Sequence, residues 1–161
     1  MFMEKTDKDS LITEIEEGSG IMEAVDIAIF NKEKKVLLGK RLAKAGKGTW
    51  CFPGGHLKTN ETITECASRE IREELGDDIE VHIAKEIISV RENCVAPQHI
   101  HHLTIIMKGI HTGGEPKVNE PYKCEKWEWF DLDSLPAPLF SGVAETINNY
   151  KNRKVRVVSD W

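Results

Sequence analysis

Long hydrophobic runs are missing from this chain of 161 residues. Charge interrupts its apolar stretches, and none approaches the length a helix needs to cross a bilayer. The opening segment, MFMEKTDKDSLITEIEEGSG, carries acids where a secretion signal needs an unbroken apolar core. No membrane association and a cytoplasmic location are therefore expected. Cysteine is sparse: Cys51, Cys66, Cys94 and Cys124 lie far apart with no C-x-x-C pair, which argues against a zinc knuckle or redox motif and for reduced packing residues. Basic excess is also absent. Lys and Arg total 22 against 27 Asp and Glu, a formal charge of -5, so stable nucleic-acid binding is not expected. A polyanionic ligand would need local positive charge or a bound cation.

What is present describes a globular chain, 40% hydrophobic and 30% charged, of a length that one domain accommodates. Residues 1–20 read as a flexible or edge segment ending in Gly18-Ser19-Gly20, and 21–161 as a single domain. Two β-type runs, Ala24 to Phe30 and Lys35 to Arg41, flank a turn and predict a hairpin. Leu42 to Thr49 is a loop. Trp50-Cys51-Phe52 is a short strand stopped by Pro53-Gly54-Gly55. Thr62 and Glu65 form a capping-box pair and Gly76 a stop signal, predicting a helix from Thr62 to Leu75. Further strands are expected at Ile79 to Val90, Ile100 to Ile110 and Lys126 to Phe130, with a loop from His111 to Pro121 and a last helix over Ser141 to Asn149. The fold class is α+β, a mixed β-sheet sandwiched between helices.

Within the predicted helix Glu70, Glu73 and Glu74 stand at i, i+3 and i+4, which brings their carboxylates together. Three adjacent like charges are unfavourable on a helix chosen for stability alone. A hard cation with oxygen ligands, Mg²⁺ above all, would offset that repulsion. Ala67, Ile71 and Leu75 supply an apolar stripe for packing on a sheet, leaving the acids facing a cleft. The plainer reading is a solvated helix face of mixed charge, and for an isolated E-x-x-E-E that reading is the better one.

The wider spacing decides between them. Gly55, Glu61, Arg69-Glu70, Ile71, Glu73-Glu74 and Gly76 fall as in G-x5-E-x7-R-E-U-x-E-E-x-G-U, where U is aliphatic. This resembles the signature of the Nudix hydrolase family. Asp77 departs from it at the final aliphatic position, a role open to Ile79. The resemblance implies the Nudix fold, with a catalytic loop-helix-loop at Gly55–Gly76. It also implies Glu70 and Glu74 as principal Mg²⁺ ligands (Mn²⁺ a possible substitute), Glu73 as a further ligand or base, and the Gly55 carbonyl as a backbone ligand. Arg69 would orient these acids by pairing with Glu61 or Glu73. The chemistry implied is attack of water on phosphorus in a phosphoanhydride.

Lys40-Arg41, the stretch Trp50 to Leu57, Leu103 to Gly109, Lys123 to Trp129 and Leu135 to Val143 resemble the MutT-related nucleotide diphosphatases, including the eukaryotic enzyme acting on thioguanine nucleotides and its plant relatives. That branch implies hydrolysis of a nucleoside triphosphate, with an ordinary or modified base, to monophosphate and pyrophosphate. It places Arg41 near phosphate, and Phe52, His56, Thr104, Phe140, Gly142 and Val143 around the base; Ser141 stands where relatives often carry Trp. Each has a duller reading. Phe52 and Phe140 fit a core, and Arg41 fits a solvated strand end. His99, His101 and His102 are close in sequence, but alternation puts His102 on the opposite face from the other two, so they read as structural or pocket-rim residues. Trp127 and Trp129 share a face and read as core.

Other readings stay open. NADH, a nucleotide sugar, a dinucleoside polyphosphate or dihydroneopterin triphosphate would suit the same motif. A non-catalytic nucleotide-binding domain is disfavoured because every acid is intact. A small nucleotide is the expected partner, and a homodimer is compatible with the resemblance.

Overall fold

The computed structural model describes residues 20–95 and 100–159. His99, and all of the expected N-terminal segment except Gly20, lie outside the described residues. The order is β1 (Ile21–Phe30), β2 (Lys35–Arg41), β3 (Trp50–Cys51), β4 (Gly54–His56), α1 (Ile63–Leu75), β5 (Glu80–Val95), β6 (Ile100–Gly113), β7 (Cys124–Asp131), α2 (Val143–Lys151) and β8 (Arg156–Ser159).

These strands form one mixed eight-stranded sheet with the main order β3-β2-β1-β6-β5-β8, while β4 joins β1 and β7 joins β2. The β1 strand organises it. Along its full length β1 pairs in parallel with β6, from Ile21↔His101 to Phe30↔Ile110. On its other side Ala24 to Asp26 pair with β4, whereas Phe30 pairs with Val36 of β2. The hairpin, the helix with its capping box and the strands read from sequence are all present, with ends shifted by a few residues.

Alternation along β1 explains how the sheet carries two cores. Val25, Ile27 and Ile29 face α1 and pack with Cys66, Ala67, Ile71, Leu75 and Ile79. Ala28 and Phe30 face α2 and pack with Leu38, Ile106, Val143 and Ile147. The sheet is therefore buried between the two helices, which matches the expected layering. Ile79 is buried beside Leu75 while Asp77 is exposed, so the aliphatic role absent at Asp77 is filled two residues later. Trp127 and Trp129 pack against the α1-side core, as their shared face implies.

The helix α1 is fixed at both ends. Thr62 Oγ1 accepts from Glu65 N at 3.2 Å, and Glu65 Oε2 accepts from Thr62 N at 2.8 Å. At the other end the backbone N–H groups of Lys117 and Asn119 donate to the carbonyls of Leu75 and Glu74, and Asn119 Nδ2 donates to Glu73 O at 2.9 Å. These bonds satisfy terminal carbonyls that the helix leaves unpaired. They also draw the loop that follows β6, which begins after Gly113 rather than at His111, against the acidic end of α1.

Two strands were not expected. Pro53-Gly54-Gly55, a stop signal in the sequence, instead leads into β4, whose residues Gly54 to His56 pair with Ala24 to Asp26. A Cβ on Gly54 would stand 2.3 Å from Asp26 Oδ1 and 2.4 Å from Val25 O, so only glycine permits that pairing. Strand β8 adds a short parallel edge to β5.

Candidate active site

The corner where β4 meets α1 gathers the acids. Arg69 is its hub. Its Nε donates to Glu61 Oε1 at 2.6 Å and its Nη2 to Glu61 Oε2 at 2.9 Å, a two-point grip. Nη1 donates to Glu70 Oε1 at 2.5 Å and Glu73 Oε2 at 3.2 Å, and Nη2 also reaches the His56 carbonyl at 3.0 Å. The expected alternatives, Glu61 or Glu73, are thus both realised, with Glu70 added. This grip pulls the Glu61 carboxyl down to about 2.

Glu70 and Glu74 press against the glycines of β4. A Cβ on Gly55 would lie 2.3 Å from Glu70 Oε1, so the carboxylate occupies the space a side chain would fill. Gly54 N donates to Glu74 Oε2 at 3.0 Å. Burial, opposed by that bond and reinforced by the Glu70 charge, pushes the Glu74 carboxyl up to about 8. Glu120, paired with Lys123 at 2.8 Å, adds another acid whose field reaches Glu74. The structure therefore brings Gly55, Arg69, Glu70, Glu73 and Glu74 into one corner. Among the described residues no three His, Cys, Asp or Glu side chains converge on a single cation position, and Arg69 holds both Glu70 and Glu73. The donor types nonetheless fit a hard cation: crowded carboxylates beside a backbone carbonyl, all oxygen.

Beyond this corner, register lines up one row across the sheet on the α2 side. His56 pairs with Ala24, Ala24 with Thr104, and Thr104 with Arg91. Directly paired residues share a face. Asp26 belongs to the next row on that face, and burial pushes its carboxyl up to about 6 against the pull of Arg91 and Arg41. On the other side of the Thr104 row, His102 pairs with Asn93. His101 falls on the opposite face, 3.7 Å from Glu92.

The segment before α2 crosses above this row. Arg41 lies over the Phe140 ring at 4.4 Å from the centroid and Arg91 at 5.1 Å. Arg91 Nη1 donates to the Ser141 carbonyl at 2.5 Å, and Nη2 to Thr104 Oγ1 at 3.3 Å. Gly142 has φ +82°, and a Cβ there would meet Arg91 Cδ at 2.5 Å. Among the residues expected around a base, Phe52, Thr104 and Val143 are 5%, 2% and 2% exposed and offer almost no surface in this conformation. His56, Arg41 and Phe140 remain accessible. The close approach that Gly142 allows is to Arg91, a residue not singled out in the sequence. Asp26, Asn93 and Glu120 were missed too. Asp26 alone left a visible signal, a lone acid inside the apolar run Ala24 to Phe30.

The Nudix domain matches this chain over residues 20–150. The chain belongs to the Nudix family. A MutT Nudix hydrolase from Burkholderia pseudomallei superposes with a TM-score of 0.72 at 28% identity, covering 81% of this chain and 98% of that one. An ADP-ribose pyrophosphatase of Methanocaldococcus jannaschii is 35% identical over 117 residues, 73% of this chain and 66% of its own. An 8-oxo-dGDP phosphatase of Homo sapiens is 31% identical over 119 residues, 71% of this chain and 34% of its own. This Nudix domain thus spans about a third of the human relative and just under two thirds of the archaeal one. None of its described helices is long and apolar enough to cross a membrane.

Proposed function

We propose that the protein is a Nudix hydrolase that cleaves a nucleoside triphosphate between its α and β phosphates, releasing the monophosphate and pyrophosphate with the help of Mg²⁺. The observation that carries this reading is the packing of the Glu70 and Glu74 carboxylates against Gly55 and Gly54, with Arg69 holding Glu61, Glu70 and Glu73 in register. Glu70, Glu74, the Gly55 carbonyl and Glu73 would hold the metal, with Mn²⁺ a possible replacement. When bound, Mg²⁺ supplies neutralisation of phosphate charge and acidification of a coordinated water.

The chain's own groups do the rest. Arg69 keeps the acids from splaying apart, because its guanidinium fork fixes three carboxylates at once. Glu73, 41% exposed and so the acid open to solvent, is placed to take a proton from the attacking water as the P–O–P bond breaks. Arg41 sits where its charge meets phosphate, beside Cys51 and Phe140. A cytosolic setting and a small nucleotide partner belong to the same proposal.

The decisive experiment offers a panel of nucleoside triphosphates, ADP-ribose, NADH and nucleotide sugars with Mg²⁺ and separates the products chromatographically. Monophosphate plus pyrophosphate from a triphosphate is expected. The second reading, ADP-ribose hydrolysis, is favoured by the archaeal relative's name and predicts AMP with ribose 5-phosphate instead.

A further inference from the structure

Among the described residues four buried polar atoms have no hydrogen-bond partner, Arg91 Nε, Asn93 Oδ1, Trp127 Nε1 and Asn149 Nδ2, and the first two lie together on the α2 face of β5. They are two residues apart on β5, hence on one face; Arg91 ends the row that runs from His56 through Thr104, and Asn93 belongs to the next row, opposite His102. Leaving such atoms unpaired is unfavourable, and a ligand that completes both removes that penalty. Their polarities differ. Arginine offers only donors, whereas the free Asn93 oxygen is an acceptor. A ligand that satisfies both presents an acceptor and a donor side by side.

We propose that Arg91 and Asn93 read the base of the nucleotide, selecting a lactam edge, a ring carbonyl beside a ring N–H, over an amino edge. Guanine, hypoxanthine and uracil carry the lactam; adenine and cytosine carry an amino donor beside a bare ring nitrogen. The lactam carbonyl accepts from the Arg91 guanidinium, and the lactam N–H donates to Asn93 Oδ1. An amino edge reverses both polarities and sets donor against donor. Neither protein atom touches solvent, so the base enters beneath the segment carrying Phe140 and Ser141. The bond from Arg91 to the Ser141 carbonyl is the contact that gives way. This inference rests on the nucleotide substrate proposed above, but not on triphosphate chemistry.

Calorimetric titration with monophosphates tests it without turnover. The wild-type protein should bind GMP, IMP and UMP at least about tenfold more tightly than AMP and CMP, the low end for paired donor-acceptor discrimination. Arg91→Met should abolish that preference. Asn93→Leu should weaken GMP and IMP equally, since neither contact involves the guanine 2-amino group, and should not weaken AMP, whose bare ring nitrogen is repelled by the Asn93 oxygen; it decides the matter if Arg91→Met does not fold. Equal wild-type binding of GMP and AMP, no binding of any monophosphate, or a preference that survives in the folded variants would overturn the proposal. A lactam preference in a protein that leaves every triphosphate intact would sink the proposed function and spare the base reading.

Discussion

The motif acids on the α1 side and the Arg91–Asn93 pair on the α2 side are satisfied differently, although one polar atom of the α1-side core, Trp127 Nε1, also lacks a partner. On the α1 side the motif acids are paired: Glu61, Glu70 and Glu73 on Arg69, and Glu74 on the Gly54 N–H. On the α2 side Arg91 Nε and Asn93 Oδ1 have no partner, and α2 begins at Gly142 without a side-chain cap. Catalysis profits from a prearranged framework, because groups already in place need no reorganisation when charge develops. Recognition profits from unmet valence, because the ligand then completes it. Substitutions on the α1 side should therefore change kcat and leave base choice alone, and substitutions on the α2 side should do the reverse.

The largest expected effect is on the α1 side. Glu70→Gln or Glu74→Gln keeps shape and removes a carboxyl that could ionise onto the metal, and each should lower kcat at least ~10²-fold with the ranking of bases intact. Steady-state kinetics on a base panel checks this; a reordered panel would erase the division between the faces. Next comes Gly55→Ala. Its Cβ would stand 2.3 Å from Glu70 Oε1, and displacing that carboxylate by about 1 Å should cost roughly 10²-fold or somewhat less in turnover.

Phe140→Ala probes the other face. The ring is half-buried and bears two guanidiniums, so its loss should raise KM about tenfold, in line with a contact of about 1–3 kcal/mol, with a smaller change in kcat. A fall in stability of about 3–5 kcal/mol with KM unchanged in the folded protein would instead mark Phe140 as core.

How legible each face was follows from the distance over which it is assembled. Glu61, Arg69, Glu70, Glu73, Glu74 and Gly76 lie within one loop and one helix, and Thr62 with Glu65 marks where that helix starts. Local spacing was enough to find them. The α2-side row draws His56, Ala24, Thr104 and Arg91 from four strands, and no local pattern states which residues will stand opposite each other. Strand β4 was hidden for a related reason: its glycines look like a break until Asp26 is seen to need the missing side chain of Gly54 and Glu70 that of Gly55. Arg91 falls just past the expected strand Ile79 to Val90, and only the crossing of Ser141 and Gly142 above it gives it a setting.

Smaller effects sharpen the picture of the α1 side. Thr62→Ala should cost about 1 kcal/mol by loss of the cap, read from denaturant melts, with activity little changed. The Glu61 carboxyl, held down at about 2 by Arg69 from its ordinary 4.5, adds stability that is complete above about pH 4.5 and disappears as pH falls toward 2. Glu61→Gln should flatten that part of the stability profile, and an unaltered acid limb would count against the Arg69 grip.

The central claim is that the carboxylates of α1 serve metal-assisted cleavage at the α–β bridge. Anion-exchange analysis of a nucleoside triphosphate incubated with the protein and Mg²⁺, with and without excess EDTA, tests it directly. The account predicts monophosphate and pyrophosphate in equal amounts, and no turnover once the metal is chelated. Diphosphate with orthophosphate, or undiminished turnover in EDTA, would contradict it.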